Sequence, residues 1–336
     1  MYSIALNDAE RFDCASDDTL LRAGLRAGIG IPYECNVGSC GTCKVELIAG
    51  SVISNWPAAP GLSERDKTKN RVLACQVRPT SECAIKVRLQ EASRPIHSPK
   101  RFQANLIGMR DLTHDIREFR FRCPDAPLFE PGQYALLALP GVAGLRAYSM
   151  SNLASPDGEW HFQIKLVANG TGTSVLFDRI AIGARVTIDG PYGMAYLRRD
   201  SALDLVCIAG GSGLSPMIAI ARGMASEPRL ADRKLHFFYG GRGPADLCGE
   251  DMLAELPGFG GRILFTPVIS MPELDAAKQW QGAVGLVHEH VLAALGDRLA
   301  AFEYYFAGPP PMTQAVQAML IKNKVPFKQL HYDSFY

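Results

Sequence analysis

Four cysteines, Cys35, Cys40, Cys43 and Cys75, are the residues in this chain whose type and spacing most specifically suggest chemistry. As a pattern they read C-x4-C-x2-C, then 31 residues, then a fourth Cys. Four thiolates at that spacing are the ligand set of a plant-type [2Fe–2S] cluster. The intervening Gly38, Ser39, Gly41 and Thr42 are small. They let the backbone fold tightly and aim N–H groups at sulfur, one of the protein's levers on reduction potential. A zinc knuckle or a set of disulfides is the competing reading. Zinc usually takes paired C-x2-C halves, and only one such half is present.

Other candidates lie downstream. Arg146-Ala147-Tyr148-Ser149 offers a guanidinium for a pyrophosphate, a ring face for packing and a hydroxyl for a ring edge. Gly170-Thr171-Gly172-Thr173 precedes Val175-Leu176-Phe177 and suits a helix N-terminus facing phosphate. Gly210-Gly211-Ser212-Gly213-Leu214-Ser215-Pro216-Met217 follows an apolar run, and Gly308-Pro309-Pro310-Pro311-Met312 follows another. Glycines there allow backbone to approach a dinucleotide pyrophosphate, although the first loop lacks the six-residue Rossmann fingerprint. Each short match is weak by itself, and their order carries the weight. His288-Glu289-His290 has no third ligand nearby and reads as a surface or packed pair on a helix.

The elements that must position these residues fall into three blocks. Residues 1–92 read as a small β-rich domain: Tyr2–Leu6 alternates as a half-buried strand, Asp18–Gly28 is a capped helix stopped by glycine, and Lys44–Ile48 and Ala84–Leu89 are strands. Residues 93–101, with two prolines and three basic residues, read as a linker, which would hold two redox centres at high effective concentration. Residues 102–198 show short strands with Gly/Pro punctuation (Ile116–Arg122, Tyr134–Ala138, Trp160–Val167, Arg185–Ile188), an all-β barrel pattern. Residues 199–336 alternate strand and helix, which predicts a parallel sheet with its ligand outside the strands' carboxyl ends.

Composition narrows the function classes. The 336 residues suit two or three domains, and 47% hydrophobic with 21% charged residues is a soluble globular balance. A net charge of +1 advertises no nucleic-acid-binding surface. No run of 18 apolar residues predicts a membrane span, and Met1–Leu6 enters a strand rather than a signal peptide. The remaining cysteines, Cys14, Cys83, Cys123, Cys207 and Cys248, lack pairing spacing, as expected of reduced thiols in the cytoplasm.

Taken in order, these stretches resemble the ferredoxin–flavin–NAD reductases of bacterial multicomponent aromatic oxygenases, such as those serving naphthalene and carbazole dioxygenases or toluene monooxygenase. The likeness runs from Tyr33-Glu34-Cys35 through Asn55-Trp56-Pro57 to His331-Tyr332-Asp333-Ser334-Phe335-Tyr336. It implies an α+β and α/β multidomain chain: a plant-type ferredoxin β-grasp, a flavin-binding antiparallel β-barrel, then a parallel-sheet NAD-binding domain of ferredoxin–NADP reductase type. It implies FAD at Arg146, Ala147, Tyr148, Ser149, Ile164, Lys165, Val167, Gly170, Thr171, Gly172 and Thr173. It also implies a nicotinamide dinucleotide at Gly210, Gly211, Gly213, Pro216, Arg242, Gly308 and Pro309, with Phe335 and Tyr336 beside the flavin ring. Ser149 and Phe335 would stand nearest the hydride transfer. Two departures are visible: many relatives carry a basic residue in the stretch written here Asn169–Thr173, and many carry Cys where this chain has Ala307.

The implied reaction passes a hydride from NAD(P)H to FAD, then single electrons to the cluster and on to a terminal oxygenase or Rieske-type ferredoxin. The protein contributes placement and electrostatics, and the cofactors carry the redox chemistry. NADH is the expected coenzyme, because Arg242 has no second basic residue beside it to meet a 2′-phosphate. A reductase of the same layout serving a deoxysugar dehydration enzyme, or a redox sensor without turnover, are the alternatives.

Overall fold

The computed structural model describes residues 1–7, 9–274 and 277–335. Two units divide the chain, one made of Met1–Phe102, Ala135–Ala147 and Thr187–Met194, the other of the remaining segments.

The first block contains β1 (Tyr2–Leu6), β2 (Glu10–Cys14), α1 (Leu20–Arg26), β3 (Lys44–Ala49), β4 (Val52–Ser54), α2 (Glu64–Lys67), β5 (Arg71–Leu73), β6 (Val77–Pro79) and β7 (Cys83–Lys86). Five strands form one sheet in the order β2-β1-β7-β3-β5, and β4 pairs with β6 in a separate ribbon. The pair β1–β2 is antiparallel and β1–β7 parallel, so the first and last strands of the block are neighbours. The helix starts where it does because Thr19 is extended and its hydroxyl accepts the Arg22 N–H. It ends at Arg26, and Gly28 just beyond the cap has a φ of 77°, open to glycine and costly for most other residues. Leu20, Leu21 and Leu25 are buried with Ile4, Leu6 and Phe12, each such side chain contributing roughly 1.5–3 kcal/mol of burial.

Next come β8 (Lys100–Asp111), β9 (Ile116–Arg122), β10 (Tyr134–Ala138), β11 (Arg146–Ser149), β12 (Glu159–Lys165), α3 (Thr171–Ser174) and β13 (Arg185–Tyr192). Their sheet has the order β11-β10-β13-β8-β9-β12. The β8–β9 and β9–β12 pairs are antiparallel, with a bulge between Leu106 and Gly108. Trp160, Phe162 and Ile164 alternate inward along β12, the period-2 pattern of a half-buried strand. Strand β8 begins at Lys100, inside the stretch that reads as a linker, and Glu91–Ser93 form a 3₁₀ turn before it.

The last block comprises β14 (Asp204–Gly210), α4 (Leu214–Ser226), β15 (Leu235–Gly241), α5 (Glu250–Ala254), β16 (Ile263–Ile269), β17 (Ala283–Val284), α6 (Val287–Leu295), β18 (Phe302–Gly308), α7 (Pro310–Lys322) and β19 (Leu330–Ser334). The sheet is parallel in the order β17-β16-β15-β14-β18-β19. Helices cover both faces. Cys207, Ala209 and Tyr305 face α4, while Val206, Ile208 and Phe306 face α6 and α7. Strand order runs back from β14 through β15 to β17, then jumps to β18 on the other side. The reversal between β14 and β18 is the topological switch point, where ligands of such sheets bind. His288–His290 lie on α6, as expected; His290 Nε2 bonds to the Val284 carbonyl at 2.9 Å.

Candidate functional site

The cysteine loop is built from left-handed turns. Asn36, Gly38 and Gly41 have φ of 55°, 96° and 78°, and a Cβ at Gly41 would lie 2.6 Å from the Gly61 carbonyl oxygen. The tight path turns backbone N–H groups toward sulfur. Cys40 N–H reaches Cys35 Sγ at 3.4 Å, Thr42 N–H reaches Cys40 Sγ at 3.5 Å, and Gln76 Nε2 reaches Cys75 Sγ at 3.8 Å.

The thiols associate in two pairs. Cys35 is lowered to about 6, first by the hydrogen bond from the Cys40 thiol, against burial, with backbone N–H groups adding to the effect. Cys75 is lowered first by the hydrogen bond from Cys43, again against burial. The proton donors Cys40 and Cys43 are correspondingly raised. Among the described residues, no three cysteine sulfurs lie within 4.8 Å of one another. A single tetrahedral zinc with Zn–S bonds of about 2.3 Å would draw all four sulfurs closer than that. Two pairs of thiols suit two irons, one pair to each. The buried Asn36 amide, which has no hydrogen-bond partner, marks the same loop as built around something further. The residues fit a [2Fe–2S] group and not a mononuclear ion. All nine cysteines are free of disulfides.

The second cluster of candidate residues lies at the switch point. The backbone of Gly213 runs so close to β18 that a Cβ would sit 1.9 Å from the Ala307 carbonyl oxygen. Gly210 and Gly308 both face Met312, where a Cβ would come within 2.6 and 2.8 Å of its side chain. Gly308 also approaches the Gly210 backbone. The glycine loop after β14 and the Gly-Pro turn after β18 therefore meet at the strands' carboxyl ends, packed against the Met312 side chain. Phe335 N–H bonds to the Gly308 carbonyl at 3.1 Å, and its ring packs on the α4 side of the core. Gly210, Gly213, Gly308, Pro309 and Phe335 are thus brought together, with Gly211 and Pro216 next to them in the chain. Tyr336 lies outside the described residues.

Serine 215 connects this cradle to the barrel strand bearing Tyr148 and Ser149. Its buried hydroxyl donates to the Ser149 carbonyl at 2.7 Å and accepts the Gln163 N–H at 3.2 Å. Arg222, two turns along α4, donates to the Ser151 carbonyl at 2.8 Å. Ser215 is not marked as a site residue by the chain order. A hydroxyl beside Pro216 at a helix start carries no local sign of a partner 66 residues away.

The remaining candidates divide by what their side chains already do. At the start of β11, Arg146 donates to the Ala143 and Leu145 carbonyls, and Ala147 next to it is exposed. Ile164 points into the core, so only its backbone is available to a ligand. The Thr173 hydroxyl closes its own loop by bonding Val167 and the Gly170 carbonyl. Gly170 carries no capping side chain, and no acidic residue occupies the first turn of α3 with Thr171 and Gly172. The positive end of the helix dipole is therefore not offset there, which fits a diphosphate.

Lys165 pairs with Asp115 at 2.7 Å and approaches Asp246 at 3.8 Å, while Arg242 stands 3.9 and 3.5 Å from the same two carboxylates. Burial alone would raise the Asp115 carboxyl, but Lys165 and the Thr113 hydroxyl together leave it below its ordinary value. Neither acid is legible as a partner of Lys165 or Arg242 from the chain order. With His114 they form a group whose ligand atoms lie within 4.8 Å of one another, and the two cations already match the carboxylates.

A cluster-binding loop, a barrel strand tied to a nucleotide cradle, and glycines at a switch point define a flavin- and iron–sulfur-dependent oxidoreductase. Comparison with known proteins agrees. Residues 4–80 match the 2Fe-2S iron-sulfur cluster binding domain family, residues 103–196 the oxidoreductase FAD-binding domain family, and residues 207–318 the oxidoreductase NAD-binding domain family. The chain is 40% identical to a ferredoxin–NAD(P)+ reductase of Metapseudomonas resinovorans, covering 100% of both chains. It is 39% identical to the ferredoxin–NAD+ reductase component of the alkene monooxygenase system of Xanthobacter autotrophicus, over 98% of this chain and 99% of the relative. Among solved structures, the ferredoxin reductase in carbazole 1,9a-dioxygenase superimposes with a TM-score of 0.91 at 38% identity, covering 100% of this chain and 98% of the other. The chain belongs to the family of NAD(P)H-dependent, FAD- and [2Fe–2S]-containing ferredoxin reductase components of multicomponent oxygenase systems. Among the described residues, no helix is long and apolar enough to cross a membrane.

Proposed function

We propose that this reductase takes electrons from NADH in the cytoplasm and delivers them to the terminal oxygenase, or a Rieske-type ferredoxin, of an aromatic-ring hydroxylating system. Its working parts are a cluster domain over 1–92, a tether over 93–101, a flavin barrel over 102–198 and a nucleotide domain over 199–336. The observation that carries this reading is the pairing of four thiols in one loop system, combined with a glycine cradle at the switch point of a parallel sheet.

When bound, FAD and the cluster supply the conversion of a hydride donor into a source of single electrons. The chain's own residues do the placing. Cys35, Cys40, Cys43 and Cys75 would hold the cluster, and the N–H groups of Cys40 and Thr42, which point at Cys35 and Cys40 Sγ, would favour charge on its thiolates. Gly210, Gly213 and Gly308 keep side chains away from the pyrophosphate path, and Ser215 fixes Ser149 against the helix that begins at that path. Phe335 holds an aromatic ring at the end of β19, where a nicotinamide or flavin ring can pack. The Arg242 guanidinium faces Asp115 and Asp246. A 2′-phosphate there would have to share that cation with two carboxylates, which favours NADH over NADPH.

The test is made on anaerobically purified protein. Iron and acid-labile sulfide at two per chain with one bound FAD, and NADH-dependent reduction of cytochrome c, are expected. The Cys75→Ala variant should lose cytochrome c reduction and keep ferricyanide reduction. Full cytochrome c activity in that variant, or wild-type protein devoid of iron and flavin, would refute the reading.

A further inference from the structure

Beside the cysteine loop, the first block carries a surface groove of about 660 Å³ lined by Leu47, Ile48, Val52, Trp56, Lys67 and Arg71 among others. Its apolar part is exposed: Ile48 is 56% and Trp56 42% accessible. Solitary exposed apolar residues need no explanation, but a contiguous patch in a groove marks an interaction site. The groove also borders the metal-binding loop. A Cβ at Gly38, between Cys35 and Cys40, would lie 3.1 Å from the Trp56 ring and 3.0 Å from Gln76 Cγ. Gln76 in turn donates to Cys75 Sγ, and both Trp56 and Gln76 line the groove. Whatever covers Trp56 is therefore one side chain away from the cysteine loop.

The rim has a sign. Between Lys44 and Arg78 the sequence holds six basic and three acidic residues, a local excess of +3 in a chain whose net charge is +1. Two of the three acids are already engaged, Asp66 by Lys44 at 2.8 Å and Arg71 at 3.4 Å and Glu64 by Lys67 at 2.7 Å, while the third, Glu46, is exposed on β3. Among the described residues, no ion pair involves Arg65 or Lys69, and both are exposed.

Resting on the reductase reading above, we infer that this groove is the docking surface for the electron acceptor, a protein presenting carboxylates around an apolar centre. Trp is enriched, with Tyr and Arg, at the energetic centres of interfaces, and rim charges steer encounter rather than hold the complex. The acceptor's apolar centre covers Trp56 and Ile48, and its carboxylates meet the cations on the groove's rim.

The test uses the holoenzyme with two haem proteins of opposite charge as probes, the acidic soluble domain of cytochrome b5 and basic cytochrome c, with ferricyanide as the flavin-level control. Wild type should reduce cytochrome b5 about tenfold more slowly at 300 mM than at 20 mM salt, while cytochrome c reduction does not fall. The Lys67→Glu/Lys69→Glu variant should lose roughly tenfold in kcat/KM for cytochrome b5 at low salt, with ferricyanide turnover unchanged. The Ile48→Ser variant, at a site exposed enough to leave the fold intact, should lose severalfold for cytochrome b5 at high salt, where steering is screened. Variants that match wild type toward cytochrome b5 would overturn the inference alone, since ferricyanide turnover would still stand. A concentration-dependent dimer that Trp56→Ala abolishes would also overturn it, by assigning the groove to a second copy. Loss of ferricyanide turnover in wild type would instead defeat the reductase reading itself.

Discussion

Replacing Gly213 by Ala puts one methyl group where the backbone of β18 stands. The added carbon would lie 1.9 Å from the Ala307 carbonyl oxygen, 2.4 Å from its carbon and 2.8 Å from Gly308 N. Ordinary contact begins near 3.4 Å, so the loop and strand must separate by about 1.5 Å. Backbone φ is not the difficulty, because Gly213 sits at −59°. The obstruction is main chain on both sides, which cannot rotate away. Overpacking of this kind costs about 1–3 kcal/mol, and a misplacement of roughly 1 Å near a reacting group can cost about a hundredfold in rate. The expected result is a fall in kcat/KM for NADH of about five- to a hundredfold, with a lower melting temperature. NADH-dependent ferricyanide reduction over a range of coenzyme concentrations measures the first, and a thermal melt the second. Gly108→Ala is the matched control, since its Cβ would meet only the Arg120 side chain at 3.6 Å or more. If Gly213→Ala kept the wild-type KM and melting temperature, the close approach of the two loops could not be what shapes the coenzyme site.

Further outcomes are expected elsewhere. Ser215→Ala leaves a buried carbonyl at Ser149 and a buried N–H at Gln163 without their partner, a loss of about 1–3 kcal/mol; flavin retention on gel filtration and kcat with ferricyanide should both fall, and Ser215→Thr should restore part of each. Asp246→Asn removes one of the two charges facing Arg242 and should raise the NADPH/NADH ratio of kcat/KM about fivefold, the ~1 kcal/mol of an exposed charge pair. Burial alone would raise the Glu303 carboxyl, but hydrogen bonds to His331 at 2.5 Å and Ser201 at 2.8 Å hold it below its ordinary value. A depressed native pKa contributes stability above the unfolded value of about 4.3 and loses it as pH falls through the native one. Glu303→Gln should therefore melt below wild type at pH 7, the gap closing as pH drops under about 4. Cys14, pushed up to about 12 by burial and then by Asp18, and fully buried Cys207 should resist iodoacetamide at pH 8 in a mass-mapped alkylation.

What could be read from the chain order was what depends on neighbours in the chain. Four ligands crowd into a short loop plus one strand end, so Cys35, Cys40, Cys43 and Cys75 announce themselves. Strands such as Ile116–Arg122 and Tyr134–Ala138 follow from short strand signals set between Gly/Pro punctuation and stand in the structure at those bounds. The glycines of the coenzyme cradle were visible as glycines, yet the reason for Gly213, a carbonyl at Ala307, lies 94 residues away. Long-range charge pairing was invisible for the same reason. Lys165 is implied as a flavin contact by the resemblance, while its nearest partner is Asp115, across the β9–β12 pair. Thr173 likewise reads as a phosphate contact, and its hydroxyl is spent on its own turn. Side chains with several possible uses are settled by tertiary neighbours, and no local pattern records those.

One feature of the first unit bears on how this protein can be cut. Arg26 of α1 donates twice to Asp189 of β13, at 2.6 and 2.7 Å, and also bonds Asp18. Tyr192 donates to the same Asp189 at 2.7 Å, and the Gly193 N–H bonds to the Tyr33 hydroxyl at 2.9 Å. An excised iron–sulfur fragment ending at residue 92 would keep Asp18 beside Arg26 but lose Asp189, and would lose the Gly193 N–H that bonds to the Tyr33 hydroxyl. Splitting the polypeptide at its most obvious seam therefore strips the smaller piece of a buried carboxylate that Arg26 is built to meet, and a redesigned stand-alone electron carrier would need Arg26 replaced or re-paired.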